Sequence, residues 1–176
     1  MSEQYYPPGA FYFTVKVIGS AAILSALTDI DASFQEVSGI ESAFEVEEVV
    51  EGGENRFAHR LPKIGKYSNL VLKRGIVTID SFLAEWAGLT IGSSLSLPIV
   101  PQNLLVTLLN ADGWPSIVWG FFNAYPLRWE VAGMNSQDNK ILTETMELTY
   151  NYFERVSLGS GLSVATKMAQ FAARLA

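Results

Sequence analysis

His59 is the single histidine in the 176-residue chain. One imidazole cannot make a multi-histidine metal site, and Arg56 and Arg60 flank it with positive charge, so it reads as a residue on a strand surface. Gly65-Lys66 matches the end of a phosphate loop. The full pattern fails, because Arg60 stands where a glycine is needed and Tyr67 where a serine or threonine is needed. No G-x-S-x-G elbow occurs, and Gly159-Ser160-Gly161 reads as linker. Asp29-Ile30-Asp31 lacks the glycine and the distal glutamate of a calcium loop. Carboxylates are plentiful between Glu36 and Glu54, but nothing beside them sets their pKa values apart as acid–base catalysis requires. There are no cysteines, which excludes disulfides, thiolate zinc sites and cysteine nucleophiles. No catalytic residue, metal ligand or cofactor is therefore expected. The alternative is a soluble β-barrel module or enzyme for a small apolar ligand. Its motive is the aromatic group Trp114, Trp119, Phe121, Phe122, Tyr125 and Trp129.

Composition points the same way. The chain is 49% hydrophobic and 17% charged, below the soluble average of about 25% charged. So apolar a chain is expected to bury surface against partners as well as inside itself. The formal charge of −6 carries no basic nucleic-acid footprint. The densest apolar run, Ile117 to Phe122, is strand-sized and far short of a membrane span. Met1 to Gly9 has no basic region followed by an apolar core, so no signal peptide is expected.

The elements that carry these residues are mostly strands. Phe11 to Ile18 alternates with period two, Phe11, Phe13, Val15 and Val17 on one side. Gly19 to Asp31 reads either as one or two helical turns or as a variable loop. Phe34 to Ile40 starts the next strand, with a bend at Ser38-Gly39. Phe44 to Val50 alternates Phe44 and Val46 against Glu45 and Glu47. Gly52-Gly53 suits a tight reversal. Asn55 to Leu61 pairs back, and Pro62 is expected to end that strand. Leu70 to Thr78 is a further strand. Asp80 or Ser81 caps a short helix through Leu89, with Phe82, Leu83, Trp86 and Leu89 on one face. Gly88 to Pro101 is a loop rich in apolar residues, a partner-facing insertion or a flap over the core. Gln102 to Leu109 and Trp114 to Phe122 flank the turn Asn110-Ala111-Asp112-Gly113. Asn123 to Pro126 bends the chain, Leu127 to Ala132 continues it, and Ile141 to Phe153 is the closing strand. Beyond the linker at Ser157–Gly161, Val164, Met168, Phe171 and Leu175 recur at helical spacing. That amphipathic helix is too short to stand alone, so it docks on its own domain, on a partner or on a membrane.

The blocks Glu36-Val37-Ser38-Gly39-Ile40, Glu51-Gly52-Gly53, Leu61-Pro62 and Tyr67-Ser68-Asn69-Leu70-Val71-Leu72-Lys73-Arg74-Gly75-Ile76 occur in that order. Later pieces agree: Trp86, Asn110 to Gly113 with Pro115 and Trp119, Asn123-Ala124-Tyr125-Pro126, and Glu144 to Tyr150. Together they resemble the tail tube proteins of contractile phages and the inner tube proteins of phage-tail-like contractile injection systems, over residues 11–155. The resemblance implies a mainly β fold, a tail-tube β-barrel or sandwich with one short central helix. It divides the chain into an N-terminal arm (1–10), the tube domain (11–156) and a linker with a C-terminal amphipathic helix (157–176). The arm, with Tyr5-Tyr6-Pro7-Pro8, is either a disordered tail or a strap on a neighbour.

Function follows as an expectation from the same resemblance. Six subunits form a ring, and rings stack into a hollow tube inside a contractile sheath on a baseplate, with cargo in the lumen. No nucleic-acid specificity and no membrane insertion by the chain itself are expected. Assembly is expected in the cytoplasm, as part of a phage tail or injection particle that reaches the outside on release. The chain is either the major tube subunit or an initiating or terminal paralogue. Glu45, Glu47, Glu51, Gly52, Gly53, Lys63, Lys66, Lys73 and Arg74 are the expected ring-interface residues, acidic groups of one subunit opposing basic groups of the next.

Overall fold

One strand of 17 residues, β7 (Pro115–Val131), is the spine of the fold. In the computed structural model the described residues are 13–18, 34–53, 56–76, 81–110, 112–134, 141–157, 170 and 173. The first half of β7 pairs on one edge with β6 (Gln102–Leu109), which pairs with β1 (Phe13–Ile18). Along its other edge β7 meets β9 (Tyr152–Ser157) and then β8 (Thr143–Thr149). β8 continues to β5 (Leu70–Gly75) and β2 (Glu36–Ser38). Every pairing is antiparallel. A hairpin of β3 (Ser42–Val49) and β4 (His59–Tyr67) forms a separate sheet.

The bend expected at Asn123 to Pro126 is absorbed inside β7. Asn123 takes a positive φ of 53° and its N–H donates to the Asn103 side chain, 2.8 Å away. The strand thereby turns from one half-sheet into the other without ending. The two halves fold over one core: Val15, Leu104, Val106 and Phe121 from one side, Leu70, Leu72, Met146 and Leu148 from the other. Helix α1 (Phe82–Gly92) fills the gap with Leu83, Trp86 and Ala87. Ser81 caps it as expected, its hydroxyl accepting from the Ala84 N–H. The Trp86 indole donates to the Val100 carbonyl and ties the following loop to the helix.

Gly39 shows why the Ser38-Gly39 bend needs glycine. Its φ is +83°, and a Cβ there would stand 1.9 Å from the Asn69 carbonyl oxygen. Two boundaries differ from the sequence reading. Pro62 does not end its strand; it lies within β4 opposite Val46, beside a register shift. A two-stranded sheet has only edge strands, and an edge tolerates a missing donor. Ile141 to Phe153 is not one strand but two, broken at Tyr150 and Asn151. There the Asn151 N–H donates to the Phe122 carbonyl. The break flips the faces: Tyr150 is in the core, whereas Tyr152 stacks on Phe122 across the other face. The N-terminal arm, the stretch from Gly19 to Asp31 and the C-terminal helix lie outside the described residues, apart from Gln170 and Ala173.

The Tyr150 hydroxyl is buried without a hydrogen-bond partner among the described residues. Burial, then Tyr67 and Glu41, push its pKa from 10.0 to about 12. The folded state thus prefers the neutral phenol, and the unfolded chain ionises first. Stability from this group is full below pH 10 and falls as pH rises towards about 12. Tyr150→Phe removes an unpaired polar atom. It is expected to leave neutral-pH stability unchanged or raised by about 1 kcal/mol, and to flatten the alkaline loss. Urea unfolding at neutral pH and across the alkaline range checks both.

Candidate assembly interface

The β3–β4 hairpin stands apart from the core. Every residue of β3 is exposed, as is every residue of β4 but Gly65. Its base is anchored where the Ser68 hydroxyl donates to the Glu41 carboxylate at 2.7 Å. The Tyr67 ring meets Phe153 edge-on, 5.6 Å between centroids. Beyond that base the strands leave the body of the protein and reverse at Gly52-Gly53, with Gly53 at φ +99°.

The acidic residues of β3 meet the basic residues of β4 across the hairpin. Lys66 contacts Glu45, Lys63 lies 3.6 Å from Glu47, and Arg60 lies 3.7 Å from Glu48. His59 Nε2 is 3.5 Å from Glu51. All are well exposed, and pairs of this kind contribute about 0–1 kcal/mol each. Their value lies in registering the strands and in presenting a patterned surface. Between the charges lie large apolar groups. Phe44 is 71% exposed and Ile64 89%, and Leu61, Val50 and Phe57 are exposed too. The Phe44 ring lies across Gly65, 3.5 Å from where a Cβ would stand. An isolated two-stranded hairpin is marginal in water; Phe44 shares the face of Gly65 and Ile64 projects from the opposite one, so each face exposes an apolar group that suits a contact surface.

The nine residues expected at an interface separate into four places. Glu45, Glu47, Lys63 and Lys66 come together, but as partners within one hairpin. Glu51, Gly52 and Gly53 form its tip. Lys73 sits on the outer face of β5, in a row with Glu36, Thr145 and Glu130. Arg74 corrects the expectation: it is 3% exposed and turned into the core, its Nε donating to Glu144 Oε1 at 2.5 Å. Its Nη2 donates to the Ser81 hydroxyl, and its guanidinium lies 5.4 Å from the Phe34 ring centroid. The Trp129 indole donates to the other Glu144 oxygen at 3.0 Å. This network ties β5, β8, β7 and the start of α1 together, and it leaves the Arg74 and Glu144 side chains almost no surface to offer a neighbour.

The half-sheet of β2, β5, β8 and the second part of β7 has a polar outer face. Beside the Lys73 row runs a second, Ser38, Val71, Glu147 and Arg128. Asn69 donates to Glu147 at 2.7 Å, and Arg128 pairs with Glu130 at 2.6 Å. Its inner face is core, the arrangement of a sheet with one buried and one wet side.

The aromatic residues that motivated a ligand-binding reading divide, and Trp119 and Tyr125 pack with Phe121 as ordinary core. Phe121 is in the main core, Phe122 faces the opposite side of the sheet, and Trp114 is exposed. Among the described residues no cluster of three acidic, histidine or cysteine side chains is placed to hold a metal. No helix among them is long and apolar enough to cross a membrane.

A family model described as T4-like virus tail tube protein gp19 matches residues 9–154. No curated protein matches the chain. Among solved structures it resembles a chain of the anti-feeding prophage baseplate, six-fold symmetrised. The two share 23% identity over 89% of this chain and 100% of that one, with a TM-score of 0.73. It also resembles a chain of the sheath-tube complex of the extracellular contractile injection system PVC in its extended state (19% identity, 88% and 94% covered, TM-score 0.71). A third is a chain of the anti-feeding prophage tube-terminating cap (18%, 89% and 99%, TM-score 0.71). These likenesses show a shared fold.

Proposed function

The chain belongs to the T4-like virus tail tube protein family, and from that premise we propose that its structural role is to close into six-membered rings that stack into a hollow inner tube. It is a structural tube subunit of a phage tail or injection particle. In this reading it does passive mechanical work and makes or breaks no bonds. Sheath subunits surround the tube and a baseplate seeds it, as the printed names of its structural neighbours describe for their own particles. Assembly takes place in the cytoplasm.

The observation that carries this reading is the β3–β4 hairpin. It is a projecting, apolar and charge-patterned element that the other described residues leave uncovered. A neighbouring subunit supplies the cover it lacks, with Glu45, Glu47, Glu51, Gly52, Gly53, Lys63 and Lys66 at the contact. The polar outer face around Lys73 and Glu147 suits a water-filled lumen. Exposed strand edges are a liability in a lone subunit, and ring closure by pairing them satisfies their backbone groups.

Negative-stain electron microscopy of the purified chain, with its mass by light scattering, tests the reading. Hexameric rings or hollow tubes are the expected result. Long tubes assign it as the major subunit, isolated rings as an initiating or terminal one. A species that stays monomeric at high concentration, with or without baseplate proteins, overturns the assignment.

A further inference from the structure

The half-sheet of β1, β6, the first part of β7 and β9 carries apolar clusters on both faces, the outer one bordered by Lys16, Asn103 and Glu154 in the same register rows. Its inner face is the main core. Its outer face carries a second cluster, Leu105, Val118 and Phe122, flanked by Ile18 and Val156. Val118 is 0% exposed and Leu105 is 8% exposed. Thr107, opposite Val118 on this same face, is 7% exposed. Among the described residues, every apolar side chain packed against this cluster belongs to the sheet itself. In-sheet neighbours flank a side chain but cannot cap it; full burial needs a second layer about 10 Å away.

We propose that the C-terminal segment 158–176 folds back as a helix over this outer face, its stripe of Val164, Met168, Phe171 and Leu175 seated on Leu105, Val118, Phe122 and Val156. Three observations select this segment. The chain leaves the described strands at Ser157, whose partner in register is Ile117, and Val156 directly faces Val118. The segment thus begins at the rim of the face. Gln170 and Ala173 are helical and exposed, and neither lies on the apolar stripe, as a docked amphipathic helix requires. The two other segments that border the sheet fit less well. Residues 19–33 must cross from β1 to Phe34 beside β2, at the far end of the strand order. Residues 1–12 hold two aromatic pairs, Tyr5-Tyr6 and Phe11-Tyr12, on either side of two prolines, and offer no helical stripe. The family match ends at residue 154, so this cover is an addition to the tube domain. The inference stands whether or not the chain forms tubes.

The absence of native cysteine makes the test direct. In the full chain, Thr107→Cys is combined with Met168→Cys, with Phe171→Cys, or with Gln170→Cys as the control. The expected result is an oxidised, reducible cross-link within one chain for the two stripe positions and not for Gln170→Cys. Cross-links found only between chains assign the face to a second copy and overturn the proposal. Cross-linking that is absent, or equal at all three positions, also overturns it. Should the cysteine pairs fold poorly, Phe171→Asp alone supplies the second reading. Its melting temperature is expected to fall by about 5–10 °C, with increased binding of a hydrophobic dye. An unchanged melting temperature overturns the proposal.

Discussion

Replacing Glu144 by alanine is expected to cost about 3–5 kcal/mol of folding stability, the largest loss from any single polar substitution in the described core. Arg74 and Glu144 are both at or below 6% side-chain exposure. Removing the carboxylate leaves a guanidinium that cannot shed its proton, facing the Phe34 ring and the Ser81 hydroxyl without the Glu144 charge. The Trp129 indole loses its acceptor at the same time. For a chain of this size the loss corresponds to about 6–20 °C in melting temperature. The double substitution Arg74→Met with Glu144→Leu removes both charges and fills similar volume, so it is expected to recover most of that loss. Urea unfolding of the two singles and the double gives the coupling directly. A Glu144→Ala loss below about 1 kcal/mol is what a solvent-exposed pair produces, and it refutes the account. Ser81→Ala is the milder control, expected near 1 kcal/mol for a lost helix cap.

The sequence carries this pair in its alternation. Leu70, Leu72 and Arg74 alternate on β5, and Glu144, Met146 and Leu148 alternate on β8. Each strand therefore places one charge, of opposite sign, on its apolar face. Period two alone predicts that such charges are buried as partners. The basic block Lys73-Arg74 drew both residues to the surface in the sequence reading, although adjacent residues on a strand point to opposite faces. β1, the α1 cap at Ser81, the Asn110 turn and the reversal at Gly52-Gly53 were readable because each rests on local chemistry. The strand through Pro62 and the break at Tyr150-Asn151 were not, because tertiary pairing decides both. Pro62 survives on an edge, and Asn151 is held by the Phe122 carbonyl from a strand distant in sequence. The sequence shows the hairpin's two strands and turn, and the expectation placed its lysines against acids of another subunit. The structure satisfies them first within the same hairpin. That changes what the surface has left to offer a partner: chiefly its apolar groups.

Tube formation is accordingly expected to depend more on Phe44 and Ile64 than on any charge of the hairpin. The combined Phe44→Asp and Ile64→Asp variant is expected to raise the critical concentration for assembly at least about 100-fold. Burying one large apolar side chain is worth about 1.5–3 kcal/mol, and 1.4 kcal/mol is tenfold. Monomer stability is expected to change little, because both side chains are mostly in water already. Assembly is read by sedimentation and microscopy, stability by thermal unfolding. Lost stability with intact tubes would reverse the assignment of these residues. Charge reversal at Glu45 and Glu47 to lysine gives a smaller, salt-dependent weakening, since each breaks an exposed pair and adds repulsion. Exchanging Glu47 with Lys63 separates the two roles of the ladder. The swap keeps the pair within the hairpin but inverts the pattern a neighbour sees. If assembly is restored relative to Glu47→Lys alone, the ladder acts only to register its own strands. If assembly stays weak and salt-sensitive, the charges also face the next subunit, and the hairpin joins rings by an apolar contact that its charges align.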